Sequence, residues 1–202
     1  MKTKIIISIL IASIILVFIA ANNPNTLTLD KQEAKNAFEY LNKVRENPKE
    51  YSEEIGISLR KAKPIFPLIW NDTLAKVAEE KAMDMATNNY FSHVNKKGQG
   101  INILIHRAGY TLPKDFYKNK RNNFFESLAM GQDDGIEAIK GLIKDEGINP
   151  PAHRQHLLGL TYLWSTCYDI GIGFVTTDNP EMPSYTCIII ARHNTPNGEL
   201  VK

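Results

Sequence analysis

The chain has 202 residues, with 24 Lys and Arg against 22 Asp and Glu. That length suits a single domain. Setting aside residues 1–21 removes Lys2 and Lys4 and brings the charges into balance, so neither net charge nor a basic stripe with interleaved aromatics points to nucleic acid.

Met1-Lys2-Thr3-Lys4 precedes an apolar run from Ile5 to Ala21 that only Ser8 and Ser13 interrupt. A short basic start followed by an apolar stretch reads as an export signal, with Ala20 and Ala21 as small residues for cleavage. The run is also about as long as the shortest spanning helix, so an uncleaved N-terminal membrane anchor is the alternative. Either reading places the rest of the chain outside the cytoplasm, secreted, periplasmic or membrane-anchored. There Cys167 and Cys187 are expected to bridge, closing a loop worth on the order of 3 kcal/mol, with two buried thiols as the alternative that geometry decides.

A first helix is predicted over 26–47. Asp30 with Glu33 makes a capping-box-like start, Ala34, Phe38, Leu41 and Val44 recur at helical spacing, and Pro48 ends it. Residues 48–67 read as irregular. Asn71 is a natural N-cap for a second helix over 72–88, with Leu74, Val77, Ala78, Ala82, Met85 and Ala86 inward and Leu68-Ile69-Trp70 as an apolar lead-in. A shorter helix spans about 100–108, and 109–123 is loop-like. A strand over 124–130 precedes a helix that starts at Asp133-Asp134 and runs to about Glu146. Pro150-Pro151 then leads into a helical turn holding His153. Residues 169–177 and 185–193 read as two strands, and Asp178, Asn179, Pro180 and Pro183 supply the turn of a hairpin. Helices first, then a strand, a helix and a hairpin suit an α+β layered domain with an antiparallel sheet, not a regular βαβ alternation.

His93 lies where the second helix gives way to a polar loop, a position from which a ring can be presented to a cleft. Glu126 sits between Phe124-Phe125 and Leu128-Ala129. A carboxylate in so apolar a strand is costly to bury alone, so it needs a cation, an imidazole or backbone donors. His153 and His156 are three apart, a spacing that can make a metal pair. Leu157 and Leu158 beside His156 favour one ligand, His153, and one packing residue. His106 and His193 read as structural or exposed. Two imidazoles suit a borderline divalent ion such as zinc, with a carboxylate or water completing the shell. The chain lacks a His-Glu-x-x-His helix and a Gly-x-Ser-x-Gly elbow.

Several short segments, taken in order, carry a resemblance: Trp70-Asn71-Asp72, Phe91-Ser92-His93, Ala108-Gly109-Tyr110, Glu126-Ser127-Leu128-Ala129, His153-Arg154 with Leu157-Leu158, and Asp169-Ile170-Gly171-Ile172-Gly173. Over residues 34–194 the chain resembles the CAP superfamily of cysteine-rich secretory proteins, antigen 5 and pathogenesis-related proteins, in its bacterial form. The resemblance implies one SCP-like domain over 28–196, folded as an α-β-α sandwich with a small antiparallel sheet and a central cleft. It also implies a tetrad of two His and two acids. His93 and His153 match the two His, and Glu126 matches the first acid, although Ser127 stands where the family usually has Asn. For the second acid, motif spacing favours Asp145 and helical phase favours Glu146. Ala152 replaces a Gly that often precedes the second His.

The expectation is a secreted or envelope-facing binding module whose His/acid cleft holds a divalent ion and receives an unidentified small molecule, lipid or protein. The alternatives are a metal-assisted hydrolase of peptide or cell-wall material, using His93, Glu126 and His153, and a lipid- or sterol-binding protein. A purely structural polar network is a third reading of the tetrad.

Overall fold

The computed structural model describes residues 26–192, so the expected export segment and His193 lie outside the described residues. The chain opens on a short strand, β1 (Leu27–Leu29), and then α1 (Lys31–Glu46). Asp30 caps α1 by accepting from the Gln32 and Glu33 N–H groups. The expected box is only half built. Glu33 reaches forward instead, and its Oε2 accepts from Gly135 N at 2.9 Å. The apolar stripe of α1 (Ala34, Ala37, Leu41 and Val44) is buried.

The irregular stretch after Pro48 contains one helical turn, α2 (Ser52–Ile55), and the lead-in at Ile69–Trp70 is a short strand, β2. Next come α3 (Asp72–Thr87), α4 (Ile101–Arg107) and a single turn, α5 (Lys114–Tyr117). Asn71 caps α3 through a 3.1 Å bond from Leu74 N. The edge strand β3 (Glu126–Met130), α6 (Gly135–Lys144), α7 (Ala152–Leu157) and a turn, α8 (Tyr162–Ser165), lead to the hairpin of β4 (Asp169–Thr177) and β5 (Ser184–Ala191).

The strands form one sheet in the order β1-β4-β5-β3, antiparallel throughout, with β2 added parallel to β4. This is an α+β sandwich. The register sets Glu126 opposite Ile189 and Ile189 opposite Gly171, so these positions share a face, as do Leu128, Cys187 and Gly173. That face carries α3. A Cβ on Gly171 would lie 2.1 Å from Ala75 N, and one on Gly173 would lie 2.4 Å from the Ala78 carbonyl, so the two glycines let α3 rest on the backbone of β4. The opposite face presents Ile170, Ile172, Phe174, Ile188 and Ile190, all fully buried beneath the α1–α6 side of the molecule.

The expected Cys167–Cys187 bridge does not form: both thiols are free and buried. Cys187 pairs with Gly173, whereas Cys167 precedes Asp169 at the other end of β4. Four residues of strand already separate them by about 13 Å, while a disulfide needs Cα atoms within about 7 Å.

Candidate functional site

His93 follows the exit of α3, where a buried cation anchors the chain. Lys81 donates from α3 to the Ser92 carbonyl at 2.6 Å and to the Tyr90 hydroxyl at 3.3 Å. The Tyr90 hydroxyl donates in turn to Asp84. So held, His93 turns Nδ1 toward Glu126, whose Oε2 lies 2.7 Å away. The Glu126 side chain is fully buried, whereas that of His93 is 43% exposed. The other carboxylate oxygen, Oε1, accepts from the Cys187 thiol at 3.6 Å. Burial in this carboxylate-flanked corner holds the thiol well above its ordinary pKa, and hence protonated.

The second histidine is built the same way from the other helical layer. α6 stops at Asp145, which takes the left-handed conformation at φ +49°. Its side chain swings over the start of α7, where Pro151 has no side-chain donor or acceptor to serve as a cap. Asp145 Oδ2 accepts from the His153 backbone N–H at 2.9 Å and from that of Arg154 at 3.3 Å, and Oδ1 lies 2.7 Å from His153 Nδ1. Arg154 completes the junction by donating to the carbonyls of Ile143 and Lys144, which the end of α6 leaves open.

Of the two acids weighed for this place, Asp145 is the one that touches His153. Glu146 faces solvent beside Lys144. Helical phase fails as a guide because α6 has already ended where it would be applied.

Each imidazole is therefore pinned at Nδ1 by a buried carboxylate. In the neutral ring Nδ1 carries the hydrogen, and Nε2 keeps its lone pair for another partner. Alternation along β3 sends Glu126 toward the α3 layer and Ser127 toward the α7 layer, so the paired histidines flank the free edge of the sheet from its two sides.

His156 itself is buried. Its Nε2 lies 3.3 Å from the Ile190 carbonyl and must donate, so Nδ1 accepts from the Ser127 hydroxyl at 2.7 Å. Burial lowers its pKa to about 3. This Ser–His pair is sealed inside the protein, with Ser127 1% and His156 2% exposed, so it braces β3 against α7 and offers no nucleophile to a substrate. His106 stacks on Tyr117 with ring centroids 3.7 Å apart, a structural role.

A hollow of about 730 Å³ runs along the outer side of α3, lined by Lys76, Lys81, Asp84, Lys96, Lys97 and Arg107 among others. Neither His93 nor His153 lines it, and its walls carry no comparable pairing of base and acid. The two His–acid pairs are therefore the candidate site. Among the described residues, no group of three or more His, Cys, Asp or Glu side chains is arranged to hold a metal ion.

Reading the sequence alone passes over Lys81, Tyr90 and the Cys187 thiol. For Lys81 a signal exists: it falls four residues after Val77 and four before Met85, on the inward stripe of α3.

The chain is similar to several known proteins. The chain is 34% identical over 95 residues to an uncharacterized membrane protein, YlbC, of Bacillus subtilis. The match covers 47% of this chain and 23% of that protein, so the chain spans only a minor part of its relative. An outer surface protein of Borrelia burgdorferi has a similar solved structure, with a TM-score of 0.53 and 18% identity, covering 83% of this chain and 98% of that one. An extracellular Bacillus anthracis protein containing an SCP domain aligns with a TM-score of 0.48 and 20% identity over 82% of this chain and 45% of that one. The sequence profile of the cysteine-rich secretory protein family matches residues 38–189, a span that runs from α1 through β5 and takes in both His–acid pairs. The chain is a member of the CAP, or cysteine-rich secretory protein, family.

Proposed function

We propose that this CAP domain is a binding module facing the cell exterior or envelope, in which His93 and His153 hold a divalent ion such as zinc beside the ligand's place in the cleft. The observation that carries this reading is the matched pinning of both rings. Each Nδ1 sits 2.7 Å from a carboxylate oxygen whose side chain is at most 1% exposed, while the rings themselves remain partly open to solvent. A metal-binding imidazole needs its other nitrogen held in this manner. Two neutral nitrogen bases fit a borderline divalent ion, and with no third donor in place among the described residues, water or the ligand would complete the shell. A bound ion would supply a Lewis-acidic position for a ligand oxygen or nitrogen. The chain's part is to fix the two rings, keep both acids out of water and leave both rings partly exposed. An outward-facing placement is supported by the basic and apolar N-terminal segment, and by the description of the Bacillus subtilis relative as a membrane protein.

Isothermal titration of the full chain with zinc tests the site. Wild type should bind, and the His93→Ala/His153→Ala double variant should not. Glu126→Gln and Asp145→Asn should each weaken binding by about 10–100-fold, because they loosen the rings without removing a ligand. Unchanged affinity in the double histidine variant would end this reading. A metal-assisted hydrolase would need the same residues, so a turnover screen on peptides and cell-wall fragments belongs beside the titration. Turnover that survives both histidine changes together with Glu126→Gln lies elsewhere in the protein.

A further inference from the structure

Two segments remote in sequence, 57–69 and 158–168, pack on each other. A Cβ on Gly159 would lie 2.8 Å from Ile65 Cδ1. Arg45 ties the two, donating to the carbonyls of Phe66 and Leu157. Between them lies a hollow of about 530 Å³, lined by Lys61, Lys63, Ile65, Arg154, Leu160 and Ser165 among others.

Two properties coincide here. Of the seven large apolar side chains exposed among the described residues, four fall on these segments: Phe66 at 82%, Ile69 at 64%, Leu160 at 42% and Tyr162 at 87%. Exposure this concentrated marks an interaction surface, whereas scattered single residues do not. The charge on the same segments has one sign. Arg60, Lys61 and Lys63 are exposed and have no ion pair among the described residues, and neither segment contains an acid. Of the acids that border these segments in sequence, Glu54 is paired with Lys140, Asp169 is buried against Tyr110, and Asp72 is exposed and accepts from the Trp70 indole.

We propose that this face docks on an anionic lipid bilayer, with Phe66, Ile69 and Tyr162 entering the headgroup–acyl boundary and Arg60, Lys61 and Lys63 meeting the anionic headgroups. The inference is independent of the histidine cleft. The charge complementarity selects an anionic partner, and the apolar residues select the kind. A soluble polyanion has no apolar phase to receive a nearly fully exposed Phe and an exposed Ile. An acidic protein would have to bury lysines at the centre of its interface, where such residues are depleted. A bilayer boundary accommodates both: aromatic rings sit at the headgroup level while cations remain among the headgroups.

The experiment is vesicle binding by the full chain, with vesicles of phosphatidylcholine alone and with about a third phosphatidylglycerol. All variants retain residues 1–202, so any contribution from the apolar N-terminal run is common to them. Wild type should bind the anionic vesicles more tightly. Lys61→Glu/Lys63→Glu should lose roughly thirtyfold in affinity for them, and Lys61→Arg/Lys63→Arg should retain it. An environment-sensitive dye on Tyr162→Cys should shift to the blue on anionic vesicles. The same dye on Thr87→Cys, about 22 Å along α3 from Asp72, should not; the two native thiols are buried and stay unlabelled. Equal binding of the charge-reversed and wild-type chains would overturn the proposal, as would an absent shift at Tyr162 or an equal shift at Thr87. Binding to soluble polyglutamate as tight as to anionic vesicles would identify the partner as an acidic macromolecule, and would likewise overturn it.

Discussion

A histidine that never meets water behaves differently from the two that do, and His156 shows the consequence. Burial lowers its pKa to about 3, against about 6.5 in an unfolded chain. The unfolded state therefore takes up a proton at a pH where the native state refuses it. The contribution of His156 to stability is complete above about pH 6.5. It is lost as pH falls from there toward 3, at up to about 1.4 kcal/mol per unit. Replacing His156 by Gln, which can still bridge Ser127 and the Ile190 carbonyl, should cost some stability at neutral pH and flatten the decline between pH 6 and 4. Urea midpoints measured across that range would show it. A variant whose midpoint falls as steeply as that of wild type would mean that other groups control the acid limb. His156 also marks how far residue types can be read from sequence. The leucines that follow it announce its burial, whereas its bond to Ser127 depends on a strand 29 residues away.

Among the elements, the contact between α3 and β4 bears most directly on the site, since α3 delivers Lys81 and then His93. It works because Gly171 and Gly173 leave no side chains between helix and strand. Gly171→Ala should force α3 away from β4 and cost at or beyond the upper end of about 1–3 kcal/mol. A denaturation midpoint shifted by less than about half a kcal/mol would show that the helix can slide aside freely. The regular elements are largely legible from periodicity and caps. Asn71, Asp30 and the alternation of β4 place α3, α1 and the hairpin close to where they lie. The one-turn helices α2, α5 and α8 and the two-residue strand β2 are not, because segments this short have no period to display. The point at which α6 ends decides which acid meets His153. Asp145 leaves the helix for the left-handed region, so the wheel that favours Glu146 no longer applies.

For the whole molecule, the two cysteines give a direct check on how the layers are assembled. In the folded chain neither thiol should react with a thiol reagent under non-denaturing conditions, and both should react in denaturant without prior reduction. Burial seals both, and it also raises the pKa of Cys167 to about 12 and that of Cys187 well above the ordinary thiol value. A mass that rises by two hydrogens on reduction would reveal a bridge and contradict the register of β4 and β5. The same register puts Cys187 beneath Glu126 and so makes it part of the support for the histidine pair.

By itself the sequence determined the α+β class, the long helices, the hairpin, the His and acid candidates, and the order of motifs that marks the CAP family. The class, helices and hairpin follow from local periodicity and capping chemistry, and the need of Glu126 for a partner from the cost of burying a carboxylate; the tetrad and the family come from the resemblance that the ordered motifs carry. Only the tertiary structure decided that Asp145 and not Glu146 pairs with His153, that Lys81 secures the turn before His93, and that the cysteines stay apart. It also brought residues 57–69 and 158–168 into contact. Each of these depends on strand register or on the residue at which a helix ends, and long-range packing sets both.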